Sequence, residues 1–194
     1  GSEVALRDGK DPEAARRALA TVRDVAARMG RSVAMLLELA RLEMGAVRVE
    51  RAPVDLGALL AELLRAHEPT AVARELRVLN TVATPAIVNG DREVLRIVAS
   101  NLLGNALHYA TPASAVSCRL EREGERWRLV VENRTDELEP ADLSSLAQPF
   151  WRKDRARSDR DRTGLGLALS RALAEVSGCA LAFELAGESG KTFR

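Results

Sequence analysis

Residues 101–110 read NLLGNALHYA. Leucine and alanine recur here at helical spacing, which predicts a helix packed on a core. Asn101 and Asn105 stand four apart on one face of that helix, with His108 and Tyr109 a turn further on. Asparagine is a poor helix former, because its amide competes with the backbone for hydrogen bonds. An unpaired buried amide costs about 1–3 kcal/mol, so both need partners. Two readings stay open: the amides bond to nearby backbone, or they face a hard cation carrying phosphates, for which amide oxygens are suitable ligands.

A second stretch bears on that choice. Residues 163–178 read TGLGLALSRALAEVSG. Gly164 and Gly166 precede a helix whose first N–H groups have no intrahelical partner. Glycine lets the chain come close to a polyphosphate, and a helix N-terminus favours negative charge. A Gly-x-Gly at a loop–helix junction is common on its own. Here it follows WRKDRARSDRDR (151–162), which is dense in both charges, lacks apolar periodicity and reads as a mobile loop.

The elements around these stretches set the fold class. Residues 11–45 predict a long helix, with Asp11-Pro12-Glu13 as its start and Gly45 as its stop. Its apolar stripe runs Leu19, Val22, Val25, Met29, Val33, Leu36, Ala40, close to the seam period of a bundle. Such a seam needs a hairpin mate; only Glu3 to Arg7 precedes it, so a partner chain is implied. Asp55 caps a second helix bearing Leu56, Leu59, Leu60, Leu63 and Leu64, which Pro69 is expected to bend or end. Strand-like runs follow at Arg77–Val82 and Ala86–Val88, then the asparagine helix capped by Asp91. A hairpin is predicted from Val116–Glu121 and Trp127–Glu132 around Gly124. A helix from Leu165 to Val176 and strand-like runs at Ala180–Leu185 and Thr192–Arg194 complete the chain. The class is α+β: one long helix, then an α/β sandwich with a mixed sheet and helices on one face.

With 194 residues there is room for one ordinary domain and an appendage. Net charge is +1 and aromatics are 3% of residues, so neither a basic surface nor base-stacking platforms argue for nucleic acid as a partner. Cys118 and Cys179 are too few for a disulfide scaffold or a zinc cluster and read as core residues of a reducing compartment. No apolar run approaches the roughly 20 residues needed to cross a bilayer, and no signal peptide is recognisable. Gly1-Ser2 has the look of a scar left by tag removal, so the chain reads as a fragment of a longer protein.

Taken in order, NLLGNALHYA resembles the N box of bacterial two-component sensor histidine kinases, AQPFWR (147–152) their F box, and TGLGLAL (163–169) their second glycine box. SVAMLLELARLEMG (32–45) followed by VDL (54–56) is similar to their second dimerisation helix and its link to the ATP-binding domain. The resemblance implies a partial dimerisation region over 1–52 and a GHKL-type (Bergerat) ATP-binding catalytic domain over 53–194. It implies ATP and magnesium as ligands, with Asn105 and Asn101 on the metal. It places Asn101, Asn105, His108, Tyr109, Asn133, Phe150, Arg152, Lys153, Thr163, Gly164, Leu165, Gly166 and Leu167 around the nucleotide. Phe150 would anchor the lid, and Arg152 and Lys153 would contact phosphate. A homodimer through the helical hairpin, a response regulator as partner, and a cytoplasmic location beneath an inner-membrane sensor are implied as well.

Departures from the family pattern matter as much. His108 stands where the family has Lys or Arg. The first glycine box, Asp-x-Gly-x-Gly in the family, reads NRTDE (133–137) here. Asn133 can still accept a hydrogen bond from adenine, though a neutral acceptor is roughly half as strong as a charged one. No histidine lies in the His-Glu-x-x-x-Pro context of a phosphoacceptor, and His67-Glu68-Pro69 has its proline misplaced. The function expected is therefore transfer of the ATP γ-phosphoryl group to a histidine outside this chain, for relay to a response regulator aspartate. The alternatives are a degenerate, non-catalytic module for dimerisation or response-regulator binding, and another kinase of the same fold such as an anti-sigma factor.

Overall fold

The computed structural model describes residues 12–82, 85–153, 163–186 and 192–194. Helix α1, Pro12–Glu43, ends just before Gly45, whose φ of +66° suits glycine. The expected cap Asp11, the stretch Glu3 to Arg7 and most of the charged loop, 154–162, lie outside the described residues.

Strand β1, Ala52–Asp55, pairs antiparallel with β3, Ile87–Gly90, as a separate two-stranded ribbon. The sequence did not predict this ribbon. Asp55 fastens it to helix α2, Leu56–Ala73, by accepting from the N–H of Ala58 at 3.2 Å and of Ala86 at 3.1 Å. Of the two outcomes expected at Pro69, an end is ruled out: α2 runs on to Ala73 with the proline inside it. Its last turn buries Ala71 with Leu76, Ala106, Leu107, Ala110 and Val116, which offsets the hydrogen bond that proline removes.

The main sheet contains β2 (Arg77–Val82), β4 (Ala115–Glu123), β5 (Arg126–Arg134), β6 (Leu185–Ala186) and β7 (Thr192–Phe193), in the order β2-β4-β5-β7-β6. Only the β2–β4 pair is parallel, as a mixed sheet requires. β4 and β5 form the predicted hairpin around Gly124, with Glu123 facing Arg126. Residues 180–184 do not form the predicted strand, because β7 offers only a two-residue ladder; Glu184 alone exchanges a pair of hydrogen bonds with Arg194.

Helix α3 spans Arg92–Tyr109 and helix α4 spans Gly166–Ser177. Along β4, Val116, Cys118 and Leu120 point inward, opposite Asn133, Val131 and Leu129 of β5. Cys118 and Leu120 meet Leu59, Leu60 and Leu63 of α2 and Ala99 and Leu103 of α3, and Val116 meets Ala106 and Leu107 of α3, so the helices cover one face of the sheet. On the other face Arg119 reaches the Glu132 carboxylate. Both cysteines are free thiols; Cys118 is buried, which pushes its pKa up to about 11, whereas Cys179 is exposed, contrary to its reading as a core residue.

The long helix presents two different faces. Met35, Leu39 and Leu42 dock on Val94, Ile97 and Val98 of α3 and on Leu169 and Leu173 of α4. The stripe read from the sequence lies elsewhere: Leu19, Val22, Met29, Val33 and Leu36 are exposed. The docking face and the seam are thus somewhat more than a third of a turn, about 135°, apart on one helix.

Candidate functional site

A cavity of about 460 Å³ opens between α3, the start of α4 and the flank of α1. That volume lies in the range of small-molecule and cofactor sites. Asn101, Asn105 and Tyr109 line it from α3; Thr163, Gly164, Gly166 and Leu167 line it from the glycine turn; Arg152 and Lys153 complete the rim.

The hydrogen-bonding reading of the asparagine pair holds for Asn101. Its Nδ2 donates to the Gly166 carbonyl at 3.1 Å and to Ser170 Oγ at 3.2 Å. A carbonyl only accepts, so this contact fixes the amide orientation and leaves Oδ1 for a cavity ligand. Asn105, one turn on, also faces the cavity. The two stretches picked out in the sequence are therefore in contact, with open space beside them.

Gly164 is needed for its conformation. Its φ is +70°, and a Cβ there would lie 2.8 Å from the Trp151 carbonyl oxygen and 2.9 Å from the Phe150 carbonyl carbon. The Phe150 N–H donates to the Gly164 carbonyl at 3.0 Å, which fastens residues 150–153 to the glycine turn. Gly166 is under less constraint, since a Cβ would meet Asn101 at an ordinary 3.6 Å.

Other candidate residues are placed differently. Phe150 is exposed, with φ of +65°; its backbone rather than its ring holds the segment, and Trp151 lines the cavity instead. His108 is not on the cavity wall; its ring meets Tyr109 edge-on, with centroids 4.7 Å apart. Leu165 is fully buried and contributes its carbonyl to the first turn of α4, accepting from Leu169 at 2.9 Å. Lys153 lines the cavity but its ammonium donates to Asp142 at 2.6 Å and lies 3.7 Å from Glu139, and this contact raises its pKa.

Asn133 lies behind the wall. It is 2% exposed, faces the helix side of β5 and pairs with the cavity-lining Phe193 across the ladder. Its Nδ2 donates to the Arg134 carbonyl at 3.2 Å, while its Oδ1 is enclosed without a hydrogen-bond partner. Such an orphaned buried acceptor is costly, and Asn133 itself is not among the residues that line the cavity. Thr135, also buried, lines the same wall, as does Glu137.

The residues sequence reasoning missed come mostly from distant segments. Arg28, Arg31 and Met35 of α1 line the cavity, as does His67 of α2, whose Nε2 lies 3.4 Å from Ser100 Oγ. Arg28, Arg31 and Met35 do share a helical stripe, but nothing in that spacing names a cavity. Among the described residues no group of three or more His, Cys, Asp or Glu could hold a metal. A divalent cation here would rest on amide oxygens, water and the ligand's own phosphates, which suits magnesium and the Asn101–Asn105 pair. No helix among the described residues is long and apolar enough to cross a membrane.

Comparison with known proteins gives the family and the fold. Residues 90–194 match the family described as Histidine kinase-, DNA gyrase B-, and HSP90-like ATPase. The sensor-like histidine kinase SenX3 of Mycobacterium tuberculosis is 32% identical over 175 residues, covering 89% of this chain and 42% of its own length. The chain thus spans less than half of that relative. Full-length ShkA in complex with AMPPNP superposes with a TM-score of 0.75 at 22% identity, covering 92% of this chain and 37% of ShkA. The histidine kinase ThkA, in complex with the response regulator protein TrrA, gives 0.74 at 19% identity, over 99% of this chain and 54% of that one. At these identities the two structures show the fold. With the family match covering more than half of the sequence, the chain belongs to the Histidine kinase-, DNA gyrase B-, and HSP90-like ATPase family.

Proposed function

We propose that this chain binds ATP with magnesium in the cavity between α3 and α4, and presents the γ-phosphoryl group to a histidine on another segment of the parent protein. The observation that carries this reading is the contact between Asn101 and Gly166 beside an open cavity, which brings the amide pair and the paired-glycine turn to one place. Asn105 and the Asn101 Oδ1 would hold the metal; when bound, magnesium neutralises phosphate charge and orients the reacting group. The N-terminus of α4 and Arg152 would face the phosphates, and Asn133 would accept from the adenine amino group. Tyr109 would pack beside the base.

Neither His67 nor His108 has the sequence context of a phosphoacceptor, so residues 1–194 alone do not autophosphorylate. The exposed seam Leu19, Val22, Met29, Val33 and Leu36 supports a parent that dimerises through a helical hairpin spanning 1–52, ahead of a catalytic domain over 53–194. In that reading the parent is a membrane sensor with this portion in the cytoplasm, and its phosphohistidine serves a response regulator. A second reading has one observation in its favour: Thr135 and Glu137 replace the glycines beside the base, and Thr135 is 1% exposed. A wall closed in this way would suit a module that no longer binds nucleotide.

Calorimetric titration with magnesium–AMPPNP separates the two. Micromolar binding supports the kinase reading, and no heat up to millimolar nucleotide supports the degenerate module. Labelled ATP with a separate phosphoacceptor helix then tests transfer; label must appear on the added histidine and not on this chain.

A further inference from the structure

The cavity's cationic lining is not supplied by the sandwich alone. Lys153, expected as a phosphate contact, is engaged by Asp142 at 2.6 Å and has Glu139 at 3.7 Å. Its charge is therefore largely neutralised within the protein. Glu137 adds a negative charge to the wall. Among the described residues, the other lining guanidinium groups besides Arg152 are Arg28 and Arg31, both on α1. They lie one and two turns before Met35, on the stripe that continues into the docked Leu39 and Leu42. The packing that fixes Leu39 and Leu42 against α3 and α4 thereby places two arginines on the wall of the cavity that the glycine turn also lines.

We propose that Arg28 and Arg31 are polyphosphate-binding residues of this cavity, so that the phosphate tail of the nucleotide is held jointly by the long helix and the sandwich. The proposal rests on the nucleotide reading above and adds a regulation to it. Guanidinium groups recognise phosphate oxygens through paired N–H donors, and such contacts strengthen where solvent is partly excluded. Arg28 is half-buried at the rim, whereas Arg31 is exposed and can be changed with little effect on the core. Coupling of this kind is reciprocal: a nucleotide that gains affinity from α1 also holds α1 on the sandwich by the same factor. The seam of α1, already set by the packing of Leu39 and Leu42, would then be held more firmly at one angle when nucleotide is bound.

The test compares the full chain with Arg31→Gln, Arg28→Gln and the double variant, titrated with magnesium–AMPPNP and with adenosine. Each single change is expected to weaken AMPPNP about tenfold and the double variant more, with adenosine unchanged and Arg31→Lys recovering part of the loss. Hydrogen exchange along residues 28–42 should slow on AMPPNP binding in the unmodified chain and not in the double variant. Equal losses for AMPPNP and adenosine would assign the arginines to helix docking and overturn the proposal, as would unchanged AMPPNP affinity in the double variant. An unmodified chain that binds neither ligand would overturn the nucleotide reading itself.

Discussion

The Asn101 amide spans 3.1 Å to the carbonyl of Gly166 and ties the middle of α3 to the first residue of α4. Its neighbour Asn105 has no such tie among the described residues, although both line the cavity. The two asparagines should therefore separate on mutation. Asn101→Ala loses hydrogen bonds to Gly166 and Ser170, a cost of about 1–2 kcal/mol, or roughly 3–6 °C in Tm for a chain of this size. Asn105→Ala should melt within about 1 °C of the unmodified chain yet lose magnesium-dependent ATP binding. Thermal melts and nucleotide titrations on the pair check this, and unchanged nucleotide affinity in Asn105→Ala would end the metal assignment.

Gly164 and Gly166 look alike in the sequence and differ in the structure. Alanine at Gly164 would have to adopt a φ of +70° and would press its Cβ to 2.8 Å from the Trp151 carbonyl oxygen. Backbone must shift to relieve that contact, at a cost of about 2 kcal/mol or more. Gly164→Ala is expected to displace residues 150–153 and weaken nucleotide binding more than tenfold. Gly166→Ala places its Cβ at 3.6 Å from Asn101 and should stay close to the unmodified chain in both Tm and affinity. Equal effects from the two alanines would show that the left-handed turn is not what the cavity requires.

What could be read in the sequence was whatever a local pattern encodes. The asparagines four apart, the glycine turn, the Asp55 and Asp91 caps and the β4–β5 hairpin each have a spacing that a few residues determine. The docking of α1 was not legible, because Met35, Leu39 and Leu42 compete with a stronger apolar stripe, and only contact with Leu169 and Leu173 distinguishes the two faces. For the same reason Arg28 and Arg31 were passed over. Lys153 was read as a phosphate ligand since no local rule reveals that Asp142, eleven residues earlier, folds back upon it. Pro69 reads as a bend or an end because the pattern shows the missing hydrogen bond and not the burial of Ala71 that offsets it.

Asn133 provides a test in which stability and binding move in opposite directions. Its Oδ1 is buried without a partner, a cost of order 1–3 kcal/mol that a ligand's amino group would recover. Asn133→Leu replaces the amide by an apolar group of similar shape and removes the orphaned acceptor. Stability is expected to hold or rise, by up to about 1 kcal/mol, while affinity for an adenine nucleotide falls about fivefold to tenfold. Titration against AMPPNP and a denaturant melt on the same sample measure both. A fall in stability with affinity unchanged would make Asn133 a packing residue and nothing more.

The open face of the sheet gives a pH dependence of definite sign. Glu132 accepts from Arg119 at 2.5 and 3.0 Å and from Ser117 Oγ at 3.0 Å. The Arg119 hydrogen bonds chiefly, with Ser117 behind them, hold its carboxyl below the ordinary glutamate value of 4.5, against the opposing effect of partial burial. A carboxyl whose folded pKa is depressed adds stability that is complete above the unfolded value and is lost as pH falls through the folded one. Solvent screens this partly exposed pair, so its worth is about 1 kcal/mol or less. Glu132→Gln should therefore melt roughly 2–4 °C below the unmodified chain at pH 7, and the gap should close as pH is lowered from about 4.5 toward 3. Melts of both proteins across pH 3 to 7 measure that gap; one that stays constant over the range would show that the carboxylate charge contributes nothing and that the difference is one of packing.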